Sequence, residues 1–151
     1  MVIGDLPGTM EDKLGLPFVG KFGGLFDAYL DELGYPSEQV WITHVVKHKS
    51  PSNRKPRSNE ISACAGFLLS EIKIACPRVI LCLGATAFEA VTGHKFDKGK
   101  GRIQAGKPPI PTNIPVIGTW HPSACIRMPG RKVEVLRHLR FVKETLEATR
   151  L

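Results

Sequence analysis

The sequence predicts an α/β protein, a three-layer α/β/α sandwich around a mostly parallel sheet of about four strands. Short apolar runs alternate along the chain with longer segments of helical periodicity, the order typical of a parallel sheet covered by helices. The run RVILCLG at 78–84 is apolar throughout, as a strand covered on both faces requires. A chain of 151 residues accommodates this architecture as one domain over residues 1–151.

Four apolar segments are the predicted strands, and they place the functional site. They are MVI at the start of the chain, VWITHVV at 40–46, RVILCLG at 78–84 and IPVIGTW at 114–120. Ligands of such sheets bind at the carboxyl ends of the strands. Three of the four strands run into unusual turns, GDLPG, THVVKHK and TWHPSA, so we expect the site where these turns meet.

Helical periodicity marks the segments between the strands. LFDAYLDELG places its apolar residues on one face and is stopped by Gly34, and ATAFEAV follows the third strand. Ser58 is the predicted N-cap of a further helix. Its predicted buried face carries Ile61, Cys64, Phe67, Leu68 and Ile72. The amphipathic segment RKVEVLRHLRFVKETLEATR forms the last helix.

The charge is the first functional indication. The chain carries a net charge of +7, and its basic residues concentrate in two Gly- and Pro-rich stretches, 47–57 and 94–107. A basic surface attracts polyanions through counterion release. These loops are either solvated or in contact with phosphate, and charge alone does not decide between the two.

Two further patterns bear on location and redox state. No apolar run approaches the roughly 20 residues of a membrane span, and MVIGDLPG lacks the features of a signal peptide, so we expect an intracellular protein, cytoplasmic or nucleoid-associated. The four cysteines form no C-x-x-C pair, which argues against a disulfide framework. Cys76 and Cys82 are predicted to be buried thiols.

Taken together, the turns resemble the uracil-DNA glycosylase superfamily, most closely its family 4 and the related UdgX group. GDLPG and PFVG resemble its first motif, WITHVVKHK its strand with I-T-N-x-V-K-C, NRKPRSNEISAC its R-x-P-x-x-E-I-x-x-C, and WHPSACIR its H-P-S motif. The similarity covers nearly the whole chain. It implies a monomeric glycosylase that flips uracil or another modified base from single- or double-stranded DNA and leaves an abasic site in base excision repair.

The resemblance also implies roles for individual residues. Cleavage of the glycosidic bond builds positive charge on the sugar and negative charge on the departing base, which a carboxylate and a hydrogen-bond donor stabilise. Asp5 takes the first role and His121, kept neutral, the second. Leu6 and Phe18 belong to the base pocket, with Phe18 as the stacking platform. Phosphate contacts are predicted for Ser123, Lys47, Lys49, Arg54, Lys55 and Arg127.

Two site residues depart from the family pattern. Asp5 stands where the family has glutamate, which moves the carboxylate back by roughly 1.5 Å. His44 stands where the family has the asparagine that reads the pyrimidine edge. Asparagine offers a donor and an acceptor side by side, whereas histidine offers one group in each direction. These changes leave the preferred base open.

The family's iron–sulfur cluster is not expected here. Of its ligand positions, the chain keeps His48 and Cys64, 16 residues apart, and it contains no Cys-x-x-Cys pair. Two ligands do not hold a cluster of the usual kind, so we expect no cofactor, with Cys64 as a buried thiol. The basic loop SPSNRKPR contains no histidine, which argues against the covalent trap of the UdgX group.

Two functions from different classes remain open. The first is a compact glycosylase without a cluster. The second is a glycosylase fold that has lost catalysis and serves as a DNA-binding module in replication or repair. The changes at Asp5 and His44 favour the second, while the intact PFVG and HPS motifs favour the first. A nucleotide-binding protein is less favoured, since GDLPG lacks the lysine of a P-loop.

Overall fold

A computed structural model describes residues 1–150 and confirms the predicted α/β fold class. Its sheet has five strands, β1 (Val2–Gly4), β2 (Ile42–His44), β3 (Ile80–Leu83), β4 (Ile103–Ala105) and β5 (Pro115–Thr119). Their order is β2-β1-β3-β5-β4. All neighbours are parallel except β4, which pairs antiparallel with β5.

Seven helices surround this sheet. They are α1 (Thr9–Leu14), α2 (Lys21–Glu32), α3 (Ser58–Ala75), α4 (Ala85–Thr92), α5 (Phe96–Gly99), α6 (Pro122–Arg127) and α7 (Arg131–Ala148). The helices pack against the sheet through two hydrophobic clusters, one on each face. Phe26 of α2 and Leu139 of α7 belong to one cluster, whereas Ile72 of α3 and Phe88 of α4 belong to the other.

The alternation along β3 explains its continuous apolar sequence. Leu81 and Leu83 belong to the cluster of α2 and α7, whereas Ile80 and Cys82 belong to the cluster of α3 and α4. Successive side chains of a strand point to opposite faces, so a strand covered on both faces has no polar position. Leu81 pairs with Ile117 of β5, which continues the same layer.

Several local predictions are corrected. Strand β4 was not predicted, and the helix α3 is capped by Arg57 rather than Ser58, because Glu60 accepts the backbone N–H of Arg57 at 2.7 Å. Phe67 is 65% exposed, since the buried stripe of α3 runs along every fourth residue from Cys64. Cys76 is exposed, and Cys82 is buried as predicted.

None of the helices within residues 1–150 combines the length and the apolar character needed to cross a membrane.

Candidate active site

A cleft of about 680 Å³ opens at the carboxyl ends of the parallel strands. The turns after β1, β2, β3 and β5 contribute to its walls, as the position of ligand sites in such sheets predicts. Most of the predicted site residues line it. They are Asp5, Leu6, Phe18, His44, Arg54, Lys55, His121, Ser123 and Arg127.

Asp5 follows directly after β1, and its carboxylate turns toward the start of α4. Its Oδ1 accepts the backbone N–H of Ala87 at 3.3 Å. Burial raises the pKa of Asp5 to about 6, although the hydrogen bond from Ala87 and the charge of Lys55 act in the opposite direction. The carboxylate is therefore ionised at neutral pH and gains a proton in mildly acidic solution.

His121 caps the first turn of α6 and has a defined tautomer. Its Nδ1 accepts the backbone N–H of Ser123 at 3.1 Å and lies 2.8 Å from the Ser123 hydroxyl. Because a backbone N–H only donates, Nδ1 carries no proton, and the neutral ring holds its proton on Nε2. Burial, with Arg127 nearby, lowers the pKa of His121 to about 4. The ring is a neutral hydrogen-bond donor at physiological pH.

Gly84 lies next to both of these groups. It directly follows β3 and has a φ of +91°, a conformation that favours glycine. A Cβ built on Gly84 would lie 3.5 Å from Oδ1 of Asp5 and 3.5 Å from Cβ of His121. The acid and the imidazole therefore both approach one residue without a side chain.

Phe18 and His44 form another wall of the cleft. Their ring centroids are 5.6 Å apart, and Phe18 packs edge-on against Phe26 of the core at 5.7 Å. Phe18 adopts the left-handed backbone region with φ of 53°. His44 is 7% exposed, and burial, together with the Lys47 ammonium, lowers its pKa to about 4. His44 is consequently a neutral polar group beside an aromatic ring.

The predicted phosphate contacts divide into two groups. Lys55, Ser123 and Arg127 line the cleft, as does Arg54, whose guanidinium is paired with both oxygens of Glu60 at 2.8 and 2.9 Å. Neither Lys47 nor Lys49 is part of the cleft wall.

Lys47 has structural partners instead. Its ammonium donates to Thr43 Oγ1 and the His44 carbonyl at 2.7 Å each, and to Glu71 at 2.9 Å. All three protons of the ammonium are thus engaged. These contacts hold the end of β2 in place, whereas a contact of Lys47 with phosphate stays a prediction.

The cleft residues that sequence reasoning missed include Phe22, Trp120 and Arg131. The Phe22 ring stands edge-on to His121, with centroids 5.6 Å apart. Arg131 stacks on Trp120, the residue directly before His121, with its guanidinium carbon 3.8 Å from the ring centroid. The only available signal was the position of an aromatic residue next to the HPS motif.

His48 and Cys64 do not form a metal site in this structure. His48 is exposed, with Nδ1 3.3 Å from its neighbour's carbonyl, while Cys64 is buried and its sulfur accepts the Lys47 backbone N–H at 3.5 Å. Within residues 1–150 no three His, Cys, Asp or Glu side chains are grouped so that they could hold a metal ion. These residues do not fit an iron–sulfur cluster, which needs four ligands of this kind.

The fold and the cleft define an α/β/α protein whose site lies at the carboxyl ends of a parallel sheet. The uracil DNA glycosylase superfamily matches residues 1–147, and the chain belongs to this superfamily. It is 43% identical over 131 residues to the type-4 uracil-DNA glycosylase of Thermotoga maritima, which covers 83% of this chain and 65% of that protein.

Two other relatives show the range of the similarity. The type-4 uracil-DNA glycosylase of Pyrobaculum aerophilum is 36% identical over 145 residues, 92% of this chain and 74% of that protein. A DNA polymerase of Bacillus phage SP01 is 29% identical over 152 residues, which cover 97% of this chain but 16% of the polymerase. The same sequence pattern therefore occurs both in separate glycosylases and in a part of a larger DNA enzyme.

Proposed function

We propose that residues 1–151 act as one glycosylase domain that hydrolyses the N-glycosidic bond of uracil, or of another modified base, in DNA. The observation that carries this proposal is the pair of Asp5 and His121, which both lie next to Gly84 and line one cleft. One is a carboxylate and the other a neutral N–H donor at neutral pH, as the reaction requires. The type-4 relatives support the same reaction class and a role in DNA repair.

The two groups address the two charges that develop as the bond breaks. The Asp5 carboxylate stabilises the positive charge on the sugar and orients the attacking water. His121 donates from Nε2 to the base oxygen on which negative charge accumulates. Its Nδ1 is held by the Ser123 N–H at 3.1 Å, so the donor is oriented before the substrate binds.

The base pocket is proposed to lie between Leu6, Phe18 and His44. A flipped base would stack on the Phe18 ring and meet His44 at its polar edge. A neutral imidazole presents a single group to that edge, so His44 would discriminate less sharply among bases than an amide. The substrate class therefore includes uracil and other modified bases, on single- or double-stranded DNA bound by a monomer with a net charge of +7.

The test is base release from defined oligonucleotides. Single- and double-stranded DNA with uracil, hypoxanthine or xanthine is incubated with the protein, and abasic sites are cleaved with alkali. We expect product with at least one base and a loss of about 100-fold or more in Asp5→Asn and His121→Ala. Asp97→Asn, which removes an 87% exposed carboxylate that is not part of the cleft wall, should retain full activity.

The pH dependence adds a check on Asp5. Its pKa of about 6 predicts that kcat/KM falls as the pH drops through that value, because the protonated acid no longer stabilises the sugar cation. A profile that is flat from neutral to mildly acidic pH would contradict the role of Asp5.

A second candidate, the DNA-binding module without catalysis, is favoured by one observation. The Asp5 side chain is a methylene shorter than glutamate, and a misplacement of about 1 Å can reduce a rate by about 100-fold. Salt-sensitive binding of every oligonucleotide without product from any of the three bases would select this candidate over the enzyme. Gain of product in Asp5→Glu would point to a site impaired only by the shorter side chain.

A further inference from the structure

Two cations lie against the Trp120 ring, next to His121. The Arg131 guanidinium carbon lies 3.8 Å from the centre of the ring, and the Lys100 ammonium lies 4.9 Å from it. Lys100 has a partner in the largely exposed Asp97, at 3.5 Å. Among the ion pairs of residues 1–150 none involves Arg131, so its charge is available to an anionic ligand.

The Trp120 ring is fixed, which in turn fixes the guanidinium. Its Nε1 donates to Glu134 at 2.8 Å, and Phe96 packs edge-on against it with centroids 5.1 Å apart. A guanidinium stacked flat on an aromatic face keeps its N–H edge available for a planar, bidentate acceptor. The side chain of Arg131 is thereby ordered before any ligand arrives.

We infer that Arg131, stacked on Trp120, is a preformed clamp for a phosphodiester of the bound DNA strand, beside the nucleotide that enters the cleft. Both residues line the cleft together with Arg127 and Ser123, which belong to the same wall. On the wall formed by the loop after β2, Arg54 is already paired with Glu60. Arg131 is therefore the cleft guanidinium that stacking, rather than a carboxylate, holds in position.

This inference rests on the proposed function for the identity of the DNA ligand, but its test does not depend on catalysis. Binding is measured by fluorescence anisotropy with a labelled oligonucleotide that carries a tetrahydrofuran abasic-site analogue, at several KCl concentrations. Arg131→Ala should lower the affinity about tenfold, the loss of one charge-assisted contact, and reduce the slope of log K against log salt by about one.

Lys132→Ala is the matched control. It removes the same charge one residue away, but its ammonium lies over the Tyr29 ring, at 5.8 Å, and it is not part of the cleft wall. We expect a change of less than about twofold in affinity. Equal losses in Arg131→Ala and Lys132→Ala would overturn the clamp and leave only diffuse attraction by surface charge.

Two further variants separate stacking from charge. Arg131→Lys keeps the positive charge but lacks the planar guanidinium, and Trp120→Leu keeps the guanidinium but lacks the ring that holds it. Both should retain the slope of log K against log salt, and both should lose several-fold in affinity. Wild-type affinity in Arg131→Lys would refute a bidentate clamp. Thermal unfolding of each variant shows whether the fold is intact. Loss of base release without any change in these affinities would count against the proposed enzyme, not against the clamp.

Discussion

The position proposed for the catalytic role of Asp5 carries a cost in stability. The fold withdraws its carboxyl from water, and burial raises its pKa from 3.8 to about 6. The folded state thus holds the proton more tightly than the unfolded chain does. Ionised Asp5 consequently destabilises the fold at every pH above about 6, and this destabilisation vanishes below about 3.8, where the carboxyl is protonated in both states.

The first prediction is that Asp5→Asn stabilises the protein while it removes base release. The amide cannot ionise and still accepts the Ala87 N–H, so the free energy of unfolding should rise by up to about 3 kcal/mol at neutral pH. Urea denaturation at neutral pH and near pH 4 measures the difference. The gain should shrink toward zero at the lower pH, and a gain independent of pH would contradict the assigned pKa.

Residue identity alone could predict some members of the site and not others. Asp5, His44 and His121 each lie at or just beyond the carboxyl end of a strand that is recognisable in the sequence, so their convergence was predictable. The structural partners of Lys47 were not predicted, because Glu71 lies 24 residues further along the chain, on α3. No local sequence pattern predicts the contact between Lys47 and Glu71.

At the scale of elements, predictability followed hydrophobic periodicity. Strands β1, β2, β3 and β5 and the helices α2, α3, α4 and α7 overlap the predicted segments, since each buries an apolar stripe or run. Helix α2 begins at Lys21, four residues before the predicted segment. Strand β4 was missed because it is an edge strand of three residues, none of which is buried. Helix α1 likewise buries no residue, and it is joined to the α2 N-terminus by the Glu11 carboxylate, which accepts the Gly20 N–H at 2.9 Å.

The start of α2 packs against the backbone of Phe18, and Gly23 permits this close approach because it has no side chain. A Cβ on Gly23 would overlap the Phe18 carbonyl and lie 2.9 Å from its Cα. The carbonyl and the Cα of Phe18 belong to the backbone, so no change of side-chain rotamer can relieve the overlap. The second prediction is that Gly23→Ala displaces the Phe18 loop, lowers the free energy of unfolding by about 2 kcal/mol or more, and weakens base release.

Gly24→Ala is the control in the same helix. Its Cβ would meet no atom within 4 Å, so alanine should stabilise α2 by about 0.5–1 kcal/mol through its higher helix propensity. Thermal or urea unfolding of the two variants gives the comparison. If both alanines shift stability in the same direction, the close approach of α2 to Phe18 is not what holds the loop.

At the scale of the whole molecule, the fold holds three imidazoles in neutral form, His44 and His138 buried and His121 partly buried. Burial lowers the pKa of His44 and His121 from 6.5 to about 4, and it lowers that of His138, whose Nδ1 is 2.9 Å from Thr119 Oγ1. For a group with a depressed pKa, stability is complete above 6.5 and is lost as the pH falls toward 4, because the unfolded chain takes up protons first. Asp5 acts in the opposite direction over nearly the same range.

The last prediction sums the contributions of His44, His121 and Asp5, and the lowered pKa of His138 acts in the same direction as those of the other two imidazoles. From about pH 7 to about pH 4.5, His44 and His121 together should cost about 5 kcal/mol, offset by about 2 kcal/mol from Asp5, so the free energy of unfolding should fall by about 3 kcal/mol. Urea unfolding across this range measures the fall. His44→Asn combined with His121→Asn should remove it or reverse its sign, whereas His94→Asn, at an exposed position, should follow the wild type. A double variant that loses stability as steeply as the wild type would place the acid sensitivity elsewhere in the protein and remove the support for a neutral His121 in the cleft.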